Sequence, residues 1–374
     1  MPLTRIVGLA LTLVLATPTP VLGAAPTIDA TVIQDGLDIP WHLTFLPSGE
    51  MLVTERAGRI RVYASDEPGA PLLRIGVLGL GVRAEGEAGV MGIVHDPAFA
   101  ANRLVYVCLS RQVNDQWLNQ LIRYRLSFNH YFVYRGVLIW NMKANRTHNG
   151  CAVEVGRDGK LWVTMGDAGV SSRAQDPSSL NGKVLRLNRD GSVPADNPVM
   201  PGADHRTIVY SMGHRNPQGL TFTPQGKVYA VEHGPDRDDE INLILPGRNY
   251  GWPCYTGAGN RWTIYAGPCG PASEYEPPAW SSGAPTIATS GAAFAASYAW
   301  GAWRNHLFVA TLKQQDVRRF SSADGGARMV YRETLFDASW GRLRAMVLHD
   351  GDLYLTTSNG GSGDRIVRLR PVGG

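Results

Sequence analysis

The chain has 374 residues, of which 44% are hydrophobic and 18% charged, with a formal net charge of +4. That composition supports a large buried core and excludes disordered and collagen-like chains. Lys and Arg exceed Asp and Glu only by 36 to 32 and are scattered, which argues against a broad nucleic-acid footprint.

In chain order, the first signal is Arg5 ahead of an apolar run over residues 6–16, then the small residues of 21–25. The run is too short to span a bilayer and reads as a secretory signal peptide over residues 1–25. Residues 26–374 are then expected to form one exported catalytic domain, periplasmic or secreted. No later stretch approaches the 18 apolar residues of a membrane span.

Beyond the leader a phrase recurs: a Gly or Asn turn, an apolar strand, then a strand alternating apolar and charged residues. It starts at Gly49, Asn102, Gly159, Gly226, Asn305 and Gly351, at spacings between 46 (Asn305 to Gly351) and 79 (Gly226 to Asn305). Outgoing strands follow at Gly58, Leu121, Gly182, Asp239, Asp316 and Asp364. Six such units predict an all-β, six-bladed β-propeller with four-stranded antiparallel blades. The longest insertions, 196–205 and 250–285, are expected over one mouth of the central channel, where a propeller builds its site. Of the four cysteines, Cys254 and Cys269 are expected to close a short loop in an oxidising compartment. Cys108 and Cys151 fit either a second bridge or two buried thiols.

Four clusters between the strands carry chemistry. His148 heads one strand and Asp167 follows the next of the same apparent hairpin, a placement that fits either a carboxylate orienting an imidazole general base or, taken singly, a surface or capping histidine and a turn aspartate. Arg215 and Asn216, before Pro217, suit a carbonyl oxygen that gains negative charge, although the Asn-Pro and Gln-Gly dipeptides by themselves read as a blade-connecting turn. Glu232, Asp236, Asp238, Asp239 and Glu240 surround Gly234-Pro235, a set of oxygens suited to calcium or, without EF-hand spacing, a solvated acidic loop. Lys313, Arg342 and Arg344 fall near the C-terminus, the two arginines at alternate positions that predict one sheet face. Three cations near a calcium loop suit a small polycarboxylate.

Together these motifs resemble the soluble PQQ-dependent aldose (glucose-type) sugar dehydrogenases. The resemblance runs from about Gly36 to Arg370 through GLDIPWHLTFLPSGEMLVTERAGRI, GVMGIVHDPAFA, GHRNPQGL, HGPDRDDEINLILPGRNYGWP and SNGGSGDRIVRL. It implies that His148 takes the proton of the sugar's anomeric hydroxyl with Asp167 behind it, while the C1 hydrogen leaves as hydride to PQQ. Arg215 would stabilise the developing oxyanion, and Asn216, Thr286, Lys313, Arg342, Arg344 and the Glu87 position would contact the cofactor. The carbonyls of Gly234 and Pro235 would hold one calcium, Glu240 and Tyr250 a neighbouring one. The partners implied are a sugar and an external electron acceptor. The chain departs from the glucose-oxidising pattern at Glu87, Thr147, Ser172 and Ala284, all toward the substrate or the cofactor's edge. Two other readings accommodate parts of the pattern, a calcium-dependent lactonase or esterase propeller and a non-catalytic propeller binding protein. The sequence names neither the physiological sugar, nor the acceptor, nor the oligomeric state.

Overall fold

The computed structural model describes residues 24–78 and 81–373. The leader expected over 1–25 falls outside them except for Ala24 and Ala25. Six four-stranded antiparallel sheets form the expected propeller. Each recurring phrase is the second strand of a blade: Met51–Glu55, Leu104–Val113, Leu161–Met165, Val228–Glu232, Leu307–Thr311 and Asp352–Thr357. Each predicted outgoing strand is the third.

Blades 1 to 5 follow chain order. Their innermost strands are Pro40–Phe45, Val90–His95, Val153–Val155, Pro217–Phe222 and Thr289–Phe294. Blade 6 begins with Leu343–His349 and takes its outermost strand from the other end of the chain: Thr27–Leu37 pairs antiparallel with Asp364–Val372. One hydrophobic cluster fills each junction. Leu52, Ile60 and Val62 meet Val105 and Val107 between blades 1 and 2, and Ile33 and Leu37 meet Leu43 and Met51 between blades 6 and 1. The other four junctions are packed in the same way. The core is therefore a ring, each sheet burying both faces against its neighbours.

Toward the axis the inner strands converge, which demands small residues. A Cβ on Gly219 would lie 2.2 Å from Ser290 O of the next blade, so only glycine lets these two strands meet. In this meander the turns between second and third strands, and the links between blades, gather at one mouth, here the upper one. The insertion 250–285 reaches that mouth, as expected. The insertion 196–205 does not. It joins the third and fourth strands of blade 3, and Asp196 and Asn197 both accept from Arg186, which also holds Asp158 of a lower turn. The insertion 250–285 also joins a third to a fourth strand but runs back up beside Met212 to the site, so insertion length alone does not say which way the extra chain folds.

Candidate active site

Glu87, His148, Asp167, Arg215, Asn216 and Gly234 all lie on links or second-to-third-strand turns, which is why the fold delivers them to the upper mouth. His148 sits in the left-handed region (φ +61°), a conformation that costs a non-glycine residue about 1–3 kcal/mol and so must be imposed by its surroundings. The constraints are visible. His148 N donates to Glu87 Oε2 at 2.8 Å, and Ala168 N donates to His148 O at 3.1 Å. Cys151, three residues on, is bridged to Cys108 of blade 2, which settles the open pairing as a disulfide.

The histidine and aspartate meet as predicted: Nδ1 of His148 lies 2.7 Å from Oδ1 of Asp167. A carboxylate only accepts, so in the neutral ring Nδ1 carries the proton and Nε2 the lone pair. Asp167 is 1% exposed and held from two further directions, by Gly169 N at 2.8 Å and by the indole Nε1 of Trp252 at 2.9 Å. Trp252 was not singled out in the sequence. It reaches the site because its loop folds back over the mouth, closed by the expected Cys254–Cys269 disulfide. Both disulfides thus brace loops that position His148 or its carboxylate.

Arg215 lies beside this pair. Its N donates to Glu232 Oε2 at 2.7 Å, its Nη1 to His233 O at 3.2 Å, and its guanidinium stands 5.3 Å from the Trp252 ring centroid. Burial pulls its pKa down, and the charges of Asp167, Glu87, Glu232 and Asp239 oppose that pull. Behind it, Ser211, His214 and Glu232 form a relay, Oγ to Nε2 at 2.8 Å and Nδ1 to Oε1 at 2.8 Å. His214 is fully buried, so this serine–histidine–glutamate set positions Arg215 rather than meeting a substrate.

Glu87 is the hub on the other side. Its Oε2 also accepts from Asn216 Nδ2 at 3.2 Å and from Gln218 Nε2 at 3.1 Å, and Gln218 Oε1 accepts from Arg344 Nη1 at 3.0 Å. Arg344 is buried, stacked 3.6 Å over Trp41, and burial lowers its pKa to about 9. Gln218, another residue the sequence did not mark, therefore links the extra carboxylate to a cation. Arg342 differs from Arg344 despite the alternate spacing. It is exposed, just before the strand that contains Arg344, and donates to Leu312 O at 3.4 Å beside Lys313. Lys313 Nζ donates to Thr286 Oγ1 at 3.3 Å. Asp239 ties this corner to the Gly234 turn, accepting from Gly234 N at 2.8 Å and from Ile287 N at 2.6 Å. Thr147, Ser172 and Ala284 are all exposed.

Apart from the exposed Asp236, the acidic segment is not a solvated loop. Asp238, Asp239, Glu232 and Glu240 are buried, and Asp238 is consumed by Thr256, Asn260, Ser281 and Arg237. Gly234 could carry no side chain, since a Cβ would meet Arg237 O at 1.8 Å. Its carbonyl and that of Pro235 accept no hydrogen bond among the described residues. Glu240 is pushed well above the usual carboxylate range, first by burial and then by Glu232. The Tyr250 hydroxyl donates to Leu243 O and accepts from Leu245 N at 2.9 Å, so that group is engaged away from Glu240. Only the Tyr250 backbone carbonyl is free for the ligand role the resemblance implied.

Of the twelve buried side-chain nitrogens and oxygens without a partner among the described residues, Arg215 Nε and His233 Nε2 lie side by side at this site. Buried polar atoms are normally satisfied. These two nitrogens stand beside free carbonyls and a cation corner, an arrangement that could hold a polar, anionic small molecule opposite an oriented imidazole.

Such a propeller defines a class of small-molecule enzymes, and the comparisons specify which. The chain belongs to the Glucose / Sorbosone dehydrogenase family, which matches residues 37–368. It is 34% identical over 312 residues to the aldose sugar dehydrogenase of Escherichia coli K12, covering 79% of this chain and 81% of that protein. It is 33% identical over 255 residues to quinoprotein glucose dehydrogenase B of Acinetobacter calcoaceticus, covering 61% of this chain and about half of that one, 53%. The PQQ-bound structure of the Streptomyces coelicolor aldose sugar dehydrogenase superposes with a TM-score of 0.76 at 28% identity, covering 93% of this chain and all of that one. The relatives are sugar dehydrogenases, and the chain is an oxidoreductase of that family.

Proposed function

We propose that this protein oxidises an aldose at C1 to the lactone, using PQQ and calcium, in an exported compartment that keeps its two disulfides oxidised. The observation that carries the reading is the pair of partnerless buried nitrogens, Arg215 Nε and His233 Nε2, beside the His148–Asp167 pair. When bound, PQQ would supply the electrophilic carbonyl that takes the C1 hydride, and calcium would hold and polarise it.

This chain's residues fit those groups. Lys313, Arg342, Arg344, Asn216 and Thr286 offer cations and neutral donors to three carboxylates, and Arg215 offers a donor to a developing oxyanion. The Gly234 and Pro235 carbonyls are oxygen donors suited to calcium. Glu240 with the Tyr250 carbonyl would hold a second ion, and a cation there would relieve the crowding of Glu240 by Glu232. His148 Nε2 takes the hydroxyl proton, and Asp167, fixed by Trp252, keeps the ring oriented and stabilises the imidazolium. A hydrolytic reading would leave Lys313, Arg342 and Arg344 without a task.

The apo-protein titrated with PQQ and calcium should change the quinone's absorbance and then reduce a dye when given aldoses, with lactone as product. Quinone binding without turnover across a broad sugar panel would sink the dehydrogenase reading. His148→Ala should lower kcat by roughly 10²–10⁴ while leaving the quinone titration intact. Loss of quinone binding alone would mean that His148 is structural.

A further inference from the structure

The outer walls of blades 1 and 2 differ from the rest of the surface. Nine of the seventeen exposed large hydrophobic side chains among the described residues lie there. They include Val77 at 74%, Phe128 at 79% and Trp140 at 66% exposure, with Ile75, Tyr131 and Tyr134 between them. The two walls form one surface. The Arg74 guanidinium of blade 1 stacks 3.7 Å from the Tyr131 ring centroid, and the Phe132 ring fills the space over Gly76. The strands concerned, Leu72–Val77 and Phe132–Lys143, are the outermost of their sheets, so their free edges face outward.

The charge on this surface is predominantly basic, with Asp190 beside Arg123 as an acidic neighbour. Residues 71–77 and 116–143 contain no Asp or Glu, but they contain Arg74, Arg123, Arg125, Arg135 and Lys143. Arg103 adds a guanidinium 4.6 Å from the Phe128 ring centroid, and Val133 is cross-strand from the exposed Arg125. Glu50, a carboxylate that touches this surface, is occupied by His130 at 3.2 Å. Monomeric proteins rarely leave contiguous apolar patches open without a partner. Two-fold self-association would oppose this basic patch to its own copy, setting like charges face to face. An anionic bilayer matches both features at once, because aromatic rings settle at headgroup depth while guanidiniums meet phosphates.

We propose that the protein docks peripherally on anionic phospholipid membranes through the outer strands of blades 1 and 2. The innermost strands and their links carry the candidate active site, so docking by the outermost strands leaves that mouth accessible.

The test is co-sedimentation of the full chain with phosphatidylcholine vesicles, with and without phosphatidylglycerol. Binding should require phosphatidylglycerol and fall as salt rises. Arg125→Glu with Arg135→Glu should weaken it by at least about 25-fold, at roughly fivefold per cation near an anionic surface. Phe128→Ser with Trp140→Ser should abolish it independently, and both pairs should keep turnover with a soluble dye. No binding at low salt, equal binding to neutral vesicles, or binding that survives both double variants would overturn the proposal. So would a concentration-dependent dimer that both variants dissolve, since the patch would then belong to a second copy.

Discussion

The two mouths of the channel use the same building materials to opposite ends. The lower mouth has the larger hollow, a vestibule of about 520 Å³ lined by Phe45, Val94, His95, Glu154, Leu348 and neighbours. Beside Arg215 and Gly234 at the upper mouth, the cavity is only about 10 Å³. Yet in the lower channel the polar groups cancel. His42 Nδ1 lies 3.1 Å from Ile93 O, and its Nε2 lies 3.6 Å from Glu154 Oε1. Burial pushes His42 down to about 4 and Glu154 up to about 8, so near neutral pH both are uncharged. At the upper mouth the polar groups are braced from several directions and still leave donors unspent. What distinguishes the upper mouth is the grouping of free donors and carbonyls around an oriented imidazole rather than volume.

The contrast can be broken most forcefully at Arg215. Arg215→Leu should lower kcat by roughly 10²–10³, the cost of removing a donor aimed at developing negative charge. A change confined to KM would assign Arg215 to binding alone. A smaller effect is expected at Trp252. Trp252→Phe removes one of three donors to Asp167, a charged hydrogen bond worth about 1.5–3 kcal/mol, and should lower kcat by roughly 10-fold or more with a shifted pH profile. An unchanged profile would show that Gly169 and His148 hold the carboxylate without it.

The smallest effect on turnover is expected at the lower mouth, where Glu154→Gln should leave kcat unchanged. Its signature is in stability. The Glu154 pKa is raised in the folded state, so between about 4.3 and 8 the native protein holds a proton that the unfolded chain has released. This contribution is fully present below the unfolded value and declines as pH rises toward 8. The Gln variant should lack that decline, with Tm profiles that converge near pH 4 and separate above neutrality in the variant's favour. Parallel profiles would mean that Glu154 titrates normally.

Much of the fold was legible because each blade's second and third strands combine β-branched runs with charged alternation. The innermost strands were silent. Val153–Val155 has three residues, and Thr289–Phe294 reads TSGAAF, small side chains required by convergence at the axis rather than by strand propensity. The site followed the same division. His148, Asp167, Arg215 and Gly234 stand in conspicuous turns, whereas Trp252 meets Asp167 across 85 residues and Gln218 lies inside an inner strand. No local pattern announces either contact. Alternation also overreached at Arg342 and Arg344, because the strand begins at Leu343 and leaves the first arginine outside it.

The shared sheet of Thr27–Leu37 and Asp364–Val372 has a consequence for anyone handling the protein. Ile39 N donates to Asp364 Oδ2 at 3.0 Å, which adds a latch beside the paired strands. The strands Thr27–Leu37 and Asp364–Val372 are thus fastened to each other, and cutting into either one would unclasp the circle of blades. Joining Val372 to Thr27 by a short linker and cutting the chain at a lower turn should give a permuted protein that keeps every blade.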